Sequence, residues 1–238
     1  MKLMECVINI SEGRNLSVIH KIADAAKLPG VALLHLDPGS ATNRTVMSFA
    51  GEVEAMQEAA FRVIERATAL IDMRGYHSPH PYIGAVDVCP FVPLGETTMS
   101  ECIACAREVG ARVANQFEIP VYLYGAAAKD PNRVTLSQIR RGGYAGLQNR
   151  FEQGVLPPDF GPARFDVRLG AIAVGAREIL IAFNVNLKTI SQQTAATIAA
   201  ALRSSAPQDG ADCLSWRLAH CQAIGWFMPE YGLSLIHI

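Results

Sequence analysis

Residues 52–71 read EVEAMQEAAFRVIERATALI. Val53, Met56, Ala60, Val63, Ile64, Ala67 and Leu70 recur at spacings of three and four, which makes one side of a helix apolar and leaves the other charged. No proline or glycine interrupts the run. An amphipathic helix needs a surface to lie on, and its neighbours supply one. RTVMSFAG, residues 44–51, precedes it and AVDVCPFVPL, residues 85–94, follows it, and both read as strands.

The same alternation extends outward. MECVINI, residues 4–10, is a short strand. NLSVIHKIADAAKL, residues 15–28, is a helix with Leu16, Ile19, Ile22, Ala23 and Ala26 inward, Asn15 as its N-cap and Pro29-Gly30 as its stop. VALLHLD, residues 31–37, is a strand and PGSATN, residues 38–43, a turn. MSECIACAREVGARVANQF, residues 99–117, is a helix with Met99, Ile103, Ala106, Val109, Val113 and Phe117 inward, and PVYLYG, residues 120–125, is a buried strand. The order β-α-β-β-α-β-α-β predicts an α+β fold: a mostly antiparallel sheet with helices on one face, as in ferredoxin-like sandwiches.

From residue 126 to residue 170 the pattern breaks, with one short helix expected and then a Pro- and Gly-rich stretch without a clear period. Its arginines and aromatics favour a functional loop. A second unit begins with the strand EILIAFNVNL, residues 178–187, the helix SQQTAATIAAALRSS, residues 191–205, and the strand SWRLAHCQAIGWFM, residues 215–228. The last residues, GLSLIHI, carry no cap, turn or partner element. This unit therefore reads as incomplete, with the final residues an artefact of the chain's end.

Composition bounds the function. Half of the 238 residues are hydrophobic, enough for a sizeable core, and the formal net charge of −1 argues against a nucleic-acid partner. MKLMECVINISEG is not a secretion signal, and no run approaches the roughly 20 apolar residues of a membrane span. A cytoplasmic protein with reduced thiols is expected, and Cys102 and Cys105 read as buried residues of a helix face rather than zinc ligands.

The segment YHSPHPYIGAVDVCPFVP, residues 76–93, holds His80 between Pro79 and Pro81. Two prolines restrict the backbone, so a stiff loop presents one imidazole at the mouth of a strand. His77 lies three residues earlier, but the prolines forbid a helix that would bring both rings to one face, so no metal is expected and His77 faces solvent. Asp87 sits in an otherwise apolar strand, where it would orient His80, bind a ligand's polar edge or face water at the strand's end. Asn184 and Asn186 share one face of their strand by their spacing of two.

ECVINISEG, TNRTVMSFAG, HPYIGAVDVCPFVP, PVYLYGAAA, PDFGP and GAIAVGAREILIAFNVNL occur in the order found in the formiminotransferase family, and together they resemble it from Glu5 to about Leu187. The resemblance implies two α/β subdomains, here residues 1–170 and the start of a second at 171–238, with a ligand cleft between them. It implies transfer of the formimino group of N-formimino-L-glutamate to N5 of tetrahydrofolate in histidine degradation, with tetrahydrofolate as co-substrate, no metal, and a homodimer as the complete assembly. His80 matches the family's catalytic histidine, a general acid and base. Gly161, Pro162, Ala163, Arg164, Phe165, Asp166, Val167, Arg168, Leu169 and Gly170 match its folate-binding segment. Within that segment Phe165 would pack on a flat ring, and Arg164 and Arg168 would meet carboxylates. Arg44 is a third carboxylate partner, while Asp87 and Asn184 would line the cleft.

Two stretches depart from the family pattern. Ser78-Pro79-His80-Pro81-Tyr82 stands where Gly-Glu-His-Pro-Arg is usual, and Ile172 replaces a hydroxyl residue. The first departure also suits a folate-binding module without catalysis, and the unfinished second unit suits an inactive fragment.

Overall fold

The computed structural model describes residues 1–182, 184–202, 223–228 and 233–237. The chain divides into two units, Met1–Ile179 and Leu180–Ile238.

In the first unit β1 (Lys2–Ile10) leads to α1 (Leu16–Ala23), β2 (Val31–Gly39) and β3 (Arg44–Gly51). The long amphipathic run forms α2 (Val53–Leu70), followed by β4 (Val86–Gly95), α3 (Met99–Phe117) and β5 (Val121–Gly125). Two short helices, α4 (Leu136–Ile139) and α5 (Gly143–Glu152), precede β6 (Ile172–Ala176). Local signals set the helix starts. Asn15 accepts from the Val18 N–H at 3.2 Å, and Thr98 and Glu101 form a reciprocal capping box at α3. Leu16 and Leu70, expected inward, are exposed, the first residue of α1 and the last of α2.

The sheet runs β2-β3-β1-β4-β6-β5. Its first four strands pair antiparallel, whereas β6 is parallel to both β4 and β5. The sheet is thus mixed, and the β6 segment, whose strand character had no period to show it, joins the first unit. The first unit ends at Ile179, later than the boundary expected at residue 170.

Alternation along the strands separates two cores. Ile8, Ile10, Met47, Phe49, Phe91, Leu123 and Val174 turn to the face carrying α1, α2 and α3. Val88, Tyr122, Tyr124 and Ala173 turn the other way, where Ile139 of α4 and Leu147 of α5 cover them. Helices on one face alone, as expected from sequence, is therefore corrected. The break in period after residue 125 conceals two helices short enough to give no strong stripe.

The second unit contains β7 (Asn184–Leu187), α6 (Gln192–Leu202), β8 (Ile224–Met228) and β9 (Leu233–His237). Its sheet runs β7-β9-β8 with antiparallel pairing throughout. The terminal GLSLIHI, read as lacking a partner, supplies the strand between the other two. Residues 203–222, which include the end of the expected helix and most of the strand expected from residue 215, lie outside the described residues. No described helix is long and apolar enough to cross a membrane.

Candidate active site

Because β1 runs antiparallel to both β3 and β4, its C-terminal end meets the N-terminal ends of both at one edge of the sheet. Asn9 pairs with Val46 on one side and Val88 on the other, and Ile10 with Thr45 and Val86. The His80 segment crosses this edge on its way into β4. Its hydroxyls fasten it to the turn before β3: Ser78 Oγ donates to the Thr42 carbonyl at 2.5 Å and the Tyr76 hydroxyl to the Asn43 carbonyl. Tyr82 closes the segment on itself through the Tyr76 carbonyl at 3.0 Å. At its far end Ser11 donates from Oγ to the Gly84 carbonyl at 2.7 Å and from its N–H to the Ala85 carbonyl at 2.9 Å.

His80 is 8% exposed at the centre of this strap. Its backbone N–H donates to Ser78 Oγ at 3.0 Å. Nδ1 lies 2.6 Å from the Pro81 carbonyl, which can only accept, so Nδ1 carries the proton in the neutral ring and Nε2 carries the lone pair. The tautomer is set by the backbone next door, which the prolines hold in place. His77 is exposed, as expected.

Asp87 is 1% exposed and does not face water. Its Oδ1 accepts from the Ile83 N–H at 3.1 Å and from Arg140 Nε at 3.3 Å, and its Oδ2 accepts from Arg140 Nη2. The carboxylate thus bends the chain between strap and strand and pairs with an arginine that the sequence did not single out. Arg44 joins the group from β3, donating from Nη2 to Asn9 Oδ1 at 3.0 Å.

The segment from Gly161 to Gly170 returns to the same edge. The Leu169 carbonyl accepts from Ala85 N–H, and the Arg168 carbonyl from Met73 N–H, each at 2.9 Å, while Gly84 and Gly170 face each other in an antiparallel bridge. Gly170 has φ of +73°, and a Cβ there would lie 2.7 Å from Gly84 Cα, so this crossing admits only glycine. Asp166 Oδ1 accepts from the N–H groups of Arg168 and Leu169, both at 2.8 Å, and the Tyr144 hydroxyl donates to the carbonyls of Asp166 and Val167. The structure therefore brings the folate-segment candidates and His80 onto neighbouring, hydrogen-bonded stretches.

Rings reinforce the junction. Tyr82 stacks on Tyr144 at 5.6 Å, and Phe165 meets Tyr144 edge-on at 4.9 Å. Arg168 is committed to the Thr68 carbonyl at 2.8 Å, whereas Arg164 is exposed and 3.9 Å from Glu118. Asn184 and Asn186 lie in the second unit on β7. Arg140 and Tyr144 were missed because QIRRGGYAGL gives no period and several residues of equal promise; only the buried Asp87 demanded a cation from somewhere.

The chain belongs to the formiminotransferase family: residues 3–177 match the formiminotransferase domain, N-terminal subdomain. It is 44% identical over 236 residues to formimidoyltransferase-cyclodeaminase of Rattus norvegicus, covering 99% of this chain and 43% of that protein. Glutamate formimidoyltransferase of Streptococcus pyogenes is 39% identical over 236 residues, 99% of this chain and 76% of its own. The counterpart of Thermoplasma acidophilum is 41% identical over 239 residues, again covering 76% of that protein. The chain thus spans less than half the length of the formimidoyltransferase-cyclodeaminases it matches.

Proposed function

We propose that the protein transfers the formimino group of N-formimino-L-glutamate to N5 of tetrahydrofolate, with His80 as the general acid and base. The observation that carries this reading is the tethered ring of His80: buried at the strap's centre, with Nδ1 held by the Pro81 carbonyl at 2.6 Å and the lone pair on Nε2. The names of the relatives at 39% and 41% identity support the activity.

N5 attacks the amidine carbon and loses a proton to His80 Nε2. The resulting imidazolium returns that proton to the glutamate nitrogen as the carbon–nitrogen bond to glutamate breaks. One imidazole serves both transfers, and no proton is gained or lost overall. The Pro81 carbonyl, retained as acceptor throughout, keeps the ring from rotating between the two steps.

The segment from Gly161 to Gly170 is assigned to the folate, with Arg164 as its exposed cation. The order β2-β3-β1-β4 over β-α-β-β-α-β supports a ferredoxin-like plait for the first subdomain, and the proposal extends that plait to the second. A cytoplasmic, homodimeric assembly is part of the same reading.

The test is formation of 5-formiminotetrahydrofolate from both substrates. His80→Ala is expected to lose about 10²–10⁴-fold in turnover while tetrahydrofolate binding is retained. Equal turnover in the variant removes His80 from the chemistry. Tyr82, turned into a ring stack where the family pattern has a cation, favours a second reading, a folate binder without transfer; binding without product in the unmodified chain would select it.

A further inference from the structure

Asn9, Arg44 and Asp87 gather at the sheet edge that His80 crosses, and Arg140 reaches them from the C-terminal end of α4. Arg140 pairs with the buried Asp87 carboxylate, and Arg44 lies within the reach of both charges. Arg140 occupies both oxygens of Asp87, and the Ile83 N–H takes a further lone pair. The side chain of Arg140 is 16% exposed and that of Asp87 1%. Arg44 is left with the neutral amide of Asn9 at 3.0 Å, and its Nε is buried with no hydrogen-bond partner among the described residues. Asp37 also acts on Arg44, but it is exposed and screened by water.

The inner group therefore carries one positive charge more than it neutralises. Burial pushes the Arg44 pKa down, Asp87 opposes that effect and Arg140 adds to it. A half-buried cation with an orphan donor is a costly arrangement in the absence of an anion. A guanidinium presents a planar fork matched to a carboxylate, and Arg44 has so far met only a neutral amide. Arg168 is committed to the Thr68 carbonyl, and Arg140 to Asp87.

We propose that Arg44, braced by Asn9 and by the Arg140–Asp87 pair, is the receptor for one carboxylate of a glutamyl group. This rests on the reading above, because both proposed substrates carry such a group: formiminoglutamate itself and the tail of tetrahydrofolate. Arg140 and Asp87 are positioning residues that hold the edge in shape and keep a second cation near the incoming anion.

The test uses the whole 238-residue chain and calorimetric titration with four probes: L-glutamate, N-formimino-L-glutamate, tetrahydrofolate, and tetrahydropteroate, which lacks the glutamyl tail. Arg44→Gln is expected to weaken one of the glutamyl ligands about 10-fold or more and to leave tetrahydropteroate unchanged. Loss confined to L-glutamate and formiminoglutamate assigns the site to the donor. Loss confined to tetrahydrofolate, bringing it down to tetrahydropteroate, assigns it to the tail. Arg44→Lys keeps the charge and removes the fork; it is expected to bind about as weakly as Arg44→Gln, and it serves alone if the latter does not fold. Unchanged affinity for every glutamyl probe in a folded variant overturns the proposal. The two readings fail separately: Arg44-dependent glutamate binding without formimino transfer sinks the reaction and leaves the site, whereas transfer with unaltered KM values in the variant sinks the site and leaves the reaction.

Discussion

Asp87 is a carboxylate in a nearly dry place, and its environment explains why it stays there. One arginine and one backbone N–H use its acceptor sites, so the charge is compensated and the bend into β4 is fixed at the same time. Asp87→Asn keeps the shape and removes the charge, leaving Arg140 unpaired. Unfolding in urea is expected to show a loss of about 3 kcal/mol, the lower end for a broken buried pair because Arg140 retains some contact with water. A loss below about 1 kcal/mol would mean that water already does Arg140's share. At this scale the sequence is informative where chemistry is unusual. A histidine between two prolines and an aspartate among valines both announce themselves. Arg140 does not, because its partner lies far along the chain and its own neighbourhood has no pattern.

Elements carry the next layer. The strap and the Gly161–Gly170 segment are bound by backbone bonds at one crossing and by the Tyr82–Tyr144–Phe165 rings beside it. Tyr144, from α5, is the one ring that also donates a hydrogen bond into the segment, to the carbonyls of Asp166 and Val167 at 3.2 and 3.1 Å. Tyr144→Phe keeps the stack and removes that hydroxyl. It is expected to cost about 1 kcal/mol in stability and, under the proposed reaction, to raise the KM for tetrahydrofolate more than that for formiminoglutamate. Equal changes in both constants would assign the hydroxyl to the fold and not to the segment. The long helices were legible because their stripes are long. β6 was not: Ile172–Ala176 is buried on both faces, so it lacks the alternation of a half-exposed strand, and Gly175 within it reads as a break. Space explains that glycine, since a Cβ there would lie 2.5 Å from the Tyr124 ring. α4 and α5 were hidden by brevity.

Across the whole molecule, acid should act through its surface carboxylates. Glu101 accepts from Lys2 and from the Thr98 N–H and hydroxyl, and these hydrogen bonds lower its pKa from 4.5 to about 2. Asp72 is lowered from 3.8 to about 2 by hydrogen bonds from the side chain and backbone of Arg74. Both groups prefer the charged form when folded. Their contribution is fully present above the ordinary carboxylate range and is lost as pH falls toward 2. Melting temperature followed from pH 6 to pH 2 should decline below about pH 4.5, and Glu101→Gln should flatten that decline. An identical slope in the variant would place the acid sensitivity elsewhere. The antiparallel half of the sheet was readable as an order of elements; the parallel half depended on a long-range pairing that no local window contains.

The place of β6 has a further consequence, in time. Strands β1 to β4 form a contiguous four-stranded sheet from residues already synthesised by Gly95, whereas β5 has no neighbour in the sheet until residues 172–176 arrive. For the interval in which the ribosome makes residues 126–171, an apolar strand carrying Val121 and Leu123 waits beside a vacant slot. The segment made during that wait is the one that builds the far side of the candidate site, so the site and the sheet are completed by the same final insertion. Synonymous changes that slow or speed translation across this stretch should therefore alter the yield of folded protein without altering a single residue of it.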